Sequence, residues 1–226
     1  MKRHMTAVFV FLIGYCVGGL NPAYLLAKRR GFDIRAAGTH NAGASNAAIT
    51  IGKKAGVAVA LLDIFKAFAV VKLCALLFPH LSLSREISGV ACILGHMFPP
   101  AMQFHGGKGL SCLGGVILAY SPVVFLVFLL GTAFLALVTG YLTVVPVTAA
   151  VAFPLYYLYR GGSPAGFGLY MIVAGIMEGK HIENFRRIRA GTEVRIGFLW
   201  NRNRELTRVE EAKAAAENDS ECEEHR

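Results

Sequence analysis

The chain has 226 residues, of which 55% are hydrophobic and only 16% charged, and its mean hydropathy is +0.52. That is too apolar for an ordinary soluble domain. The formal charge of +9 is confined to a few loops and the end of the chain, whereas a soluble nucleic-acid binder shows a basic face on a modestly apolar body, so no nucleic-acid partner is expected.

The N-terminus, Met1-Lys2-Arg3-His4 before an apolar run, has the outline of a signal peptide. The run continues to Ala27 without a small-x-small cleavage site, and Tyr15 spoils a lipobox at Cys16. It therefore reads as a retained first membrane helix. Apolar stretches predict further spans, giving the set 6–27, 55–78, 87–102, 110–120, 123–138, 144–159 and 167–177. The expected fold is an all-α integral membrane protein of about seven transmembrane helices. A full span needs ~20 residues, and the shorter ones must tilt, pair or line a protein-filled cavity.

Lysine and arginine placement sets the orientation. Lys28, Arg29, Arg30, Arg35, Lys53 and Lys54 follow the first span; Lys108 lies after the third; Lys180, Arg186, Arg187, Arg189 and Arg195 follow the last. This predicts the N-terminus outside and the C-terminus cytoplasmic, although Lys2 and Arg3 point the other way. Residues 1–200 form a membrane domain and 201–226 a charged cytoplasmic tail, helix-prone from Glu205 to Glu217 and disordered at its very end. Every polar cluster then falls on one membrane face, which suggests a single site at the membrane surface. The absence of an internal repeat argues against an inverted-repeat transporter. Cys16, Cys74, Cys92, Cys112 and Cys222 have neither metal-ligand spacing nor a paired pattern, so neither a zinc site nor a disulfide framework is expected.

Three polar clusters carry the chemistry. The first is Gly38-Thr39-His40-Asn41-Ala42-Gly43-Ala44-Ser45-Asn46, whose hydroxyls and amides suit a phosphate or sugar alcohol; taken alone, it reads first as an ordinary N-cap, with Thr39 or Asn41 capping the next helix. The second is Gly95-His96-Met97-Phe98-Pro99-Pro100 leading into Phe104-His105-Gly106-Gly107-Lys108-Gly109. Clustered glycines can gather N–H groups around an anion, with the lysine adding a compact charge. A tight turn with Lys108 at the lipid headgroups is the alternative. Met102 stands where a Walker loop needs glycine, so this is not one. His96 reads as a packed histidine that satisfies a neighbour. The third cluster runs from Lys180 to Arg187 and on to Gly191-Thr192-Glu193, with His181 and Asn184 on one helical face. A neutral histidine there can accept a proton from an attacking hydroxyl; a basic segment touching anionic lipid is the alternative. Asp63 and Lys66, three apart inside an apolar segment, are expected to pair and support the site.

The three clusters, in this order, resemble the bacterial integral-membrane acyl-phosphate:glycerol-3-phosphate acyltransferases (the PlsY family), whose patterns are close to Gly-Ser-x-Asn-x-Gly-x-Thr-Asn, Gly-His-x-Phe-Pro with Phe-x-Gly-Gly-Lys-Gly, and His-x-x-Asn with Gly-x-Glu. Leu61-Leu62-Asp63-Ile64-Phe65-Lys66 also looks like that family's second helix. The resemblance implies a multi-pass enzyme of the bacterial cytoplasmic membrane that moves a fatty acyl group from acyl phosphate to the 1-hydroxyl of glycerol 3-phosphate in phospholipid synthesis. Its products are lysophosphatidic acid and phosphate, and it uses neither acyl-CoA nor a metal, so no cofactor is expected. His181, Asn184 and Lys108 are the implied catalytic residues; Thr39, Asn41, Ser45, Asn46, Gly106, Gly107, Gly109 and Glu193 are implied to bind substrate. The chain departs from the pattern at Thr39 for serine, His40 for glycine, Ser45 for threonine, Ser111-Cys112 for alanine-threonine, and Ile49 for an arginine that would clamp phosphate. The loss of that arginine leaves open a divergent, non-catalytic paralogue that binds a phosphorylated lipid precursor or assists an acyltransferase.

Overall fold

The computed structural model describes residues 2–224, and the secondary structure there is entirely helical. Eleven α-helices follow one another: α1 (Lys2–Gly19), α2 (Pro22–Lys28), α3 (Ala44–Thr50), α4 (Lys53–Leu77), α5 (Ser84–Met97), α6 (Leu110–Tyr120), α7 (Pro122–Thr139), α8 (Val144–Tyr159), α9 (Pro164–Gly179), α10 (Ile182–Arg189) and α11 (Arg202–Glu224). Short 3₁₀ turns lie at Ile34–Ala36, Pro100–Met102 and Ile196–Leu199. Helices α1 and α4–α9 form the bundle, with α1 packed along α5, α4 against α6, and α8 against α9. The short helices α2, α3 and α10 gather at one end of it, where α11 also packs.

Several elements differ from the sequence reading, each for a local reason. The first expected span is two helices. Pro22 cannot continue the hydrogen-bond ladder of α1 but suits the first position of α2, and the Asn21 side chain caps α2 by accepting from the Tyr24 N–H at 2.9 Å. The third ends at Met97 rather than 102, because Pro99 and Pro100 stop α5. The 28–54 loop contains α3, whose N-cap is Gly43 without a side-chain cap bond, so neither Thr39 nor Asn41 caps it. The tail helix α11 reaches Glu224, past the expected Glu217; the last residues, expected to be disordered, lie outside the described ones.

The core lies between α1, α4, α5, α6, α8 and α9 and includes Val10, Val71, Ile93, Val116, Phe153, Tyr170 and Met177. The outward faces are apolar too. On α7, Val123, Val127, Leu130, Phe134 and Val138 are all exposed, a surface suited to lipid and not to water. Without a hydrophobic force between helices in lipid, close backbone packing must hold the bundle. Glycine supplies it: a Cβ on Gly14 would strike Ser88 of α5, one on Gly18 would strike the Cys92 backbone, and one on Gly95 would strike the Tyr15 backbone. The α1–α5 contact is therefore backbone on backbone.

Gly18→Val or Gly95→Val is expected to lower thermal stability in detergent sharply, whereas Gly131→Ala, which meets nothing within 4 Å on α7, should leave it at or above wild type. Melting temperatures of the purified variants check this.

Candidate functional site

At the end of the bundle where α1, α5, α7 and α9 finish, the loop 31–43, the turn 98–109, the link 140–143 and residues 180–199 converge on a cavity of about 140 Å³. Thr39, Asn41, Ser45, Lys108, Gly109, His181, Asn184 and Glu193, from all three polar clusters, line it. Asn46 and Gly107 are not in its wall, and Gly106 lines only the cleft beside it.

Lys108 is half-buried in the cavity wall. Its ammonium donates to Asn184 Oδ1, and Asn184 Nδ2 donates onward to Glu193 Oε1 at 2.6 Å. The Glu193 carboxylate is filled by further donors, Thr143 Oγ1 on Oε1 at 2.7 Å and Arg187 Nε on Oε2 at 2.7 Å. A carboxylate can only accept and an ammonium only donate, so the amide of Asn184 between them has one orientation. Asn184 and Glu193 thus brace Lys108. Burial pushes the Lys108 pKa down to about 8, and the Arg187 charge adds to the effect.

His181 sits where α9 gives way to α10 and is 2% exposed. Its Nδ1 lies 2.7 Å from the Met177 carbonyl oxygen. A carbonyl only accepts, so Nδ1 carries the hydrogen and Nε2 keeps a lone pair. Burial holds its pKa down at about 4, and the ring is neutral at neutral pH.

The first cluster divides in two. Thr39, Asn41 and Ser45 face the cavity. Asn46 is fully buried and frames the loop, accepting from the Thr39 N–H at 2.9 Å and donating to the Ile34 and Ala37 carbonyls at 2.8 and 2.9 Å. His40 has φ +57°, a left-handed conformation natural to glycine, and its Nδ1 lies 3.0 Å from the Arg35 carbonyl oxygen.

The glycine turn works by space more than by donors. The N–H groups of Gly106 and Gly107 bond to the Met97 and His96 carbonyls at 3.1 and 3.0 Å, so they do not point at a ligand. A Cβ on Gly107 would overlap the His96 imidazole. Beneath the turn, Lys66 Nζ lies 2.7 Å from Asp63 Oδ1 and donates to the Gly18 and Leu20 carbonyls at 2.9 and 2.6 Å, oxygens exposed by the break after α1. His96 Nδ1 is 3.4 Å from the same Asp63 oxygen. Asp63, His96 and Cys112 are close enough to share a cation, and the Lys66 ammonium already supplies one.

Two spaces adjoin the cavity. A cleft of about 660 Å³ shares Thr39, Asn41 and Lys108 with it and carries Arg35, Lys180 and Arg187, with Asp33 and Glu183 as the acidic groups. Asp33 and Arg35, 2.7 Å apart, cancel each other, and Lys108, Lys180 and Arg187 against Glu183 leave the cleft net positive. On the other side a space of about 180 Å³ shares Leu110 and Ser111 and runs between Ile64, Leu113, Ile117, Phe125 and Phe128. Ile49 is buried in the cavity wall against Phe198. Phe198 is held there by the segment after α10: the Ile196 N–H bonds to the Gly140 carbonyl at 2.7 Å, and Arg208 donates to the Gly191 and Glu193 carbonyls, both at 2.7 Å. Sequence reasoning did not single out Thr143, Arg187 or Phe198 for the site. Arg187 had the signal of a charge in the third cluster; Phe198 had none.

Fold and site together define a helical membrane protein with a polar, cationic cavity at one end of the bundle. A family model described as glycerol-3-phosphate acyltransferase matches residues 8–191, and the chain belongs to that family of membrane acyltransferases of phospholipid synthesis. The glycerol-3-phosphate acyltransferase of Thermoanaerobacter pseudethanolicus (strain ATCC 33223 / 39E) is 34% identical over 194 residues, covering 85% of this chain and 97% of that protein. That of Aquifex aeolicus (strain VF5) is 34% identical over 192 residues, covering 84% and 100%. The crystal structure of PlsY (YgiH), an integral membrane glycerol 3-phosphate acyltransferase, in its glycerol 3-phosphate form, is similar with a TM-score of 0.79 at 32% identity, covering 85% of this chain and 96% of that one. Its lysophosphatidic acid form gives 0.76 at 31%, with the same coverage.

Phe198→Ala is expected to cost about 3 kcal/mol of stability, the lower end for an emptied aromatic site. Chemical denaturation in mild detergent measures it.

Proposed function

We propose that this protein transfers a fatty acyl group from acyl phosphate to the 1-hydroxyl of glycerol 3-phosphate, releasing lysophosphatidic acid and inorganic phosphate. The observation that carries this reading is the pairing, in one cavity, of a braced ammonium (Lys108) with a neutral, buried imidazole (His181). Relatives named for glycerol 3-phosphate, and PlsY structures described as its glycerol 3-phosphate and lysophosphatidic acid forms, support the acceptor and product.

The chemistry follows from the arrangement. The acyl chain lies in the apolar space between α4, α6, α7 and α8, entered past Leu110 and Ser111. The acceptor's phosphate sits in the cationic cleft, near Arg35, Lys180 and Arg187, so that Ile49 is tolerated in the wall. The acceptor hydroxyl oxygen attacks the acyl carbon while His181 Nε2 takes its proton. The bond from the acyl carbon to the phosphate oxygen breaks with its electron pair on phosphate, and the same proton passes to that leaving group. Lys108 stabilises the charge that grows on the departing phosphate and on the carbonyl oxygen. Thr39, Asn41 and Ser45 orient the substrates; Asn184 and Glu193 hold Lys108 in place. No step calls for an activated protein nucleophile, because the donor is already activated.

The orientation that goes with this reading has seven spans in the bacterial cytoplasmic membrane, the N-terminus outside, and the site on the cytoplasmic face. A second reading, a non-catalytic relative that binds a phosphorylated lipid precursor, is favoured by one observation, the isoleucine at position 49.

The Lys108→Ala variant is expected to lose about 10²- to 10³-fold in kcat/KM, as for removal of a charge-stabilising donor, with the fold intact. The charged lysine is the working form, so activity should fall as pH rises through about 8, while the lower limb set by His181 lies near 4. Lys108→Arg should remove the upper limb, because a guanidinium stays charged across this range. Lysophosphatidic acid formation followed by mass spectrometry across pH tests this; full activity in Lys108→Ala would sink the reading.

A further inference from the structure

The opposite end of the bundle holds a second built site, unrelated to the cavity around Lys108. Glu86, on α5, is 6% exposed although it lies in an apolar setting. Its Oε1 accepts from the Tyr120 hydroxyl at 2.8 Å and from the Tyr157 hydroxyl at 2.8 Å. Tyr170 donates to the Tyr120 oxygen at 3.1 Å, and the Ser163 N–H donates to the Tyr157 oxygen at 3.2 Å. The whole chain of donors thus runs toward the carboxylate. Its other oxygen, Oε2, is buried and has no hydrogen-bond partner among the described residues. Among the described residues no lysine or arginine forms an ion pair with it. A buried carboxylate with one oxygen saturated and one empty is costly unless a donor arrives from outside.

The surroundings say which donor. The rings of Tyr120 and Tyr157 are 5.7 Å apart and those of Tyr157 and Tyr170 5.4 Å, with Phe153 5.0 Å from Tyr170. Glu86, Tyr120, Phe153, Tyr156, Tyr157 and Arg160 line one open cleft of about 570 Å³. Aromatic faces beside a carboxylate suit an ammonium. The exposed Arg160 guanidinium suits a phosphate. The cleft lies at the level where α5 begins and α6 and α8 end, beside the lipid-facing surface of α7, which is where headgroups stand.

We propose that this cleft binds an alkylammonium carried next to a phosphate, as in the head group of an aminophospholipid. Glu86 Oε2 and the aromatic wall take the ammonium; Arg160 takes the phosphate.

The test uses full-length protein, stripped of lipid in a non-ionic detergent. Melting temperature is measured with phosphatidylethanolamine, with phosphatidylglycerol, and with soluble phosphoethanolamine. Phosphatidylethanolamine should raise the melting temperature by about 4 °C more than phosphatidylglycerol does. Glu86→Gln keeps an acceptor for the two tyrosines but removes the charge, and should abolish that difference. Arg160→Gln, at an exposed position that cannot unfold the bundle, should raise the half-maximal phosphatidylethanolamine concentration at least threefold. A matching shift with soluble phosphoethanolamine supports the chemistry and makes the free compound a ligand too; a shift with the lipid alone supports the lipid source. Equal responses to the two lipids in wild type, or a full phosphatidylethanolamine response in both variants, would overturn the proposal.

Discussion

The hydrogen bond from the Lys108 ammonium to Asn184 is the contact on which the site depends. It joins the turn between α5 and α6 to α10, and so ties the second and third polar clusters together across 76 positions of sequence. A half-buried lysine tends to lose its proton or swing to water. Here the amide holds it, Glu193 holds the amide, and Thr143 and Arg187 hold Glu193. The charge is kept at one point next to a histidine whose lone pair is kept free. That is what the proposed acyl transfer from an already activated donor requires: little chemical force, but fixed positions.

The lower layer serves the same end. Breaking the first helix at Asn21–Pro22 exposes the Gly18 and Leu20 carbonyls, and Lys66 binds both while pairing with Asp63. His96 stands on that pair, and Gly107 lies against the imidazole with no room for a side chain. The turn that carries Lys108 therefore rests on a buried polar stack. Charges at that depth are tolerated because they are matched there.

Most of the bundle was legible because apolar runs of the right length dominate the chain; α6 and α8 have the bounds that their apolar stretches predict. The break at Asn21 was hidden because hydrophobicity continues through it, and α3 because its small residues look like loop. The residues of the three clusters were legible as a set by type and spacing. Their individual duties were not. Sequence cannot distinguish a glycine needed for a donor from one needed for space, so Gly106 and Gly107 read as anion ligands when their N–H groups close the turn. Nor can it show that the Asn46 amide frames a loop while Asn41, a few residues earlier, faces the cavity. Phe198 carries no motif, and its meeting with Ile49 is a tertiary fact: where the family pattern has an arginine, two apolar side chains pack against each other.

The most direct measurement is phosphate release by the purified wild-type protein, given acyl phosphate with and without glycerol 3-phosphate. The account predicts release that requires the acceptor and matches lysophosphatidic acid formed, mole for mole, with Ile49 in place. Folded protein that releases no phosphate, or releases it equally without the acceptor, would contradict it.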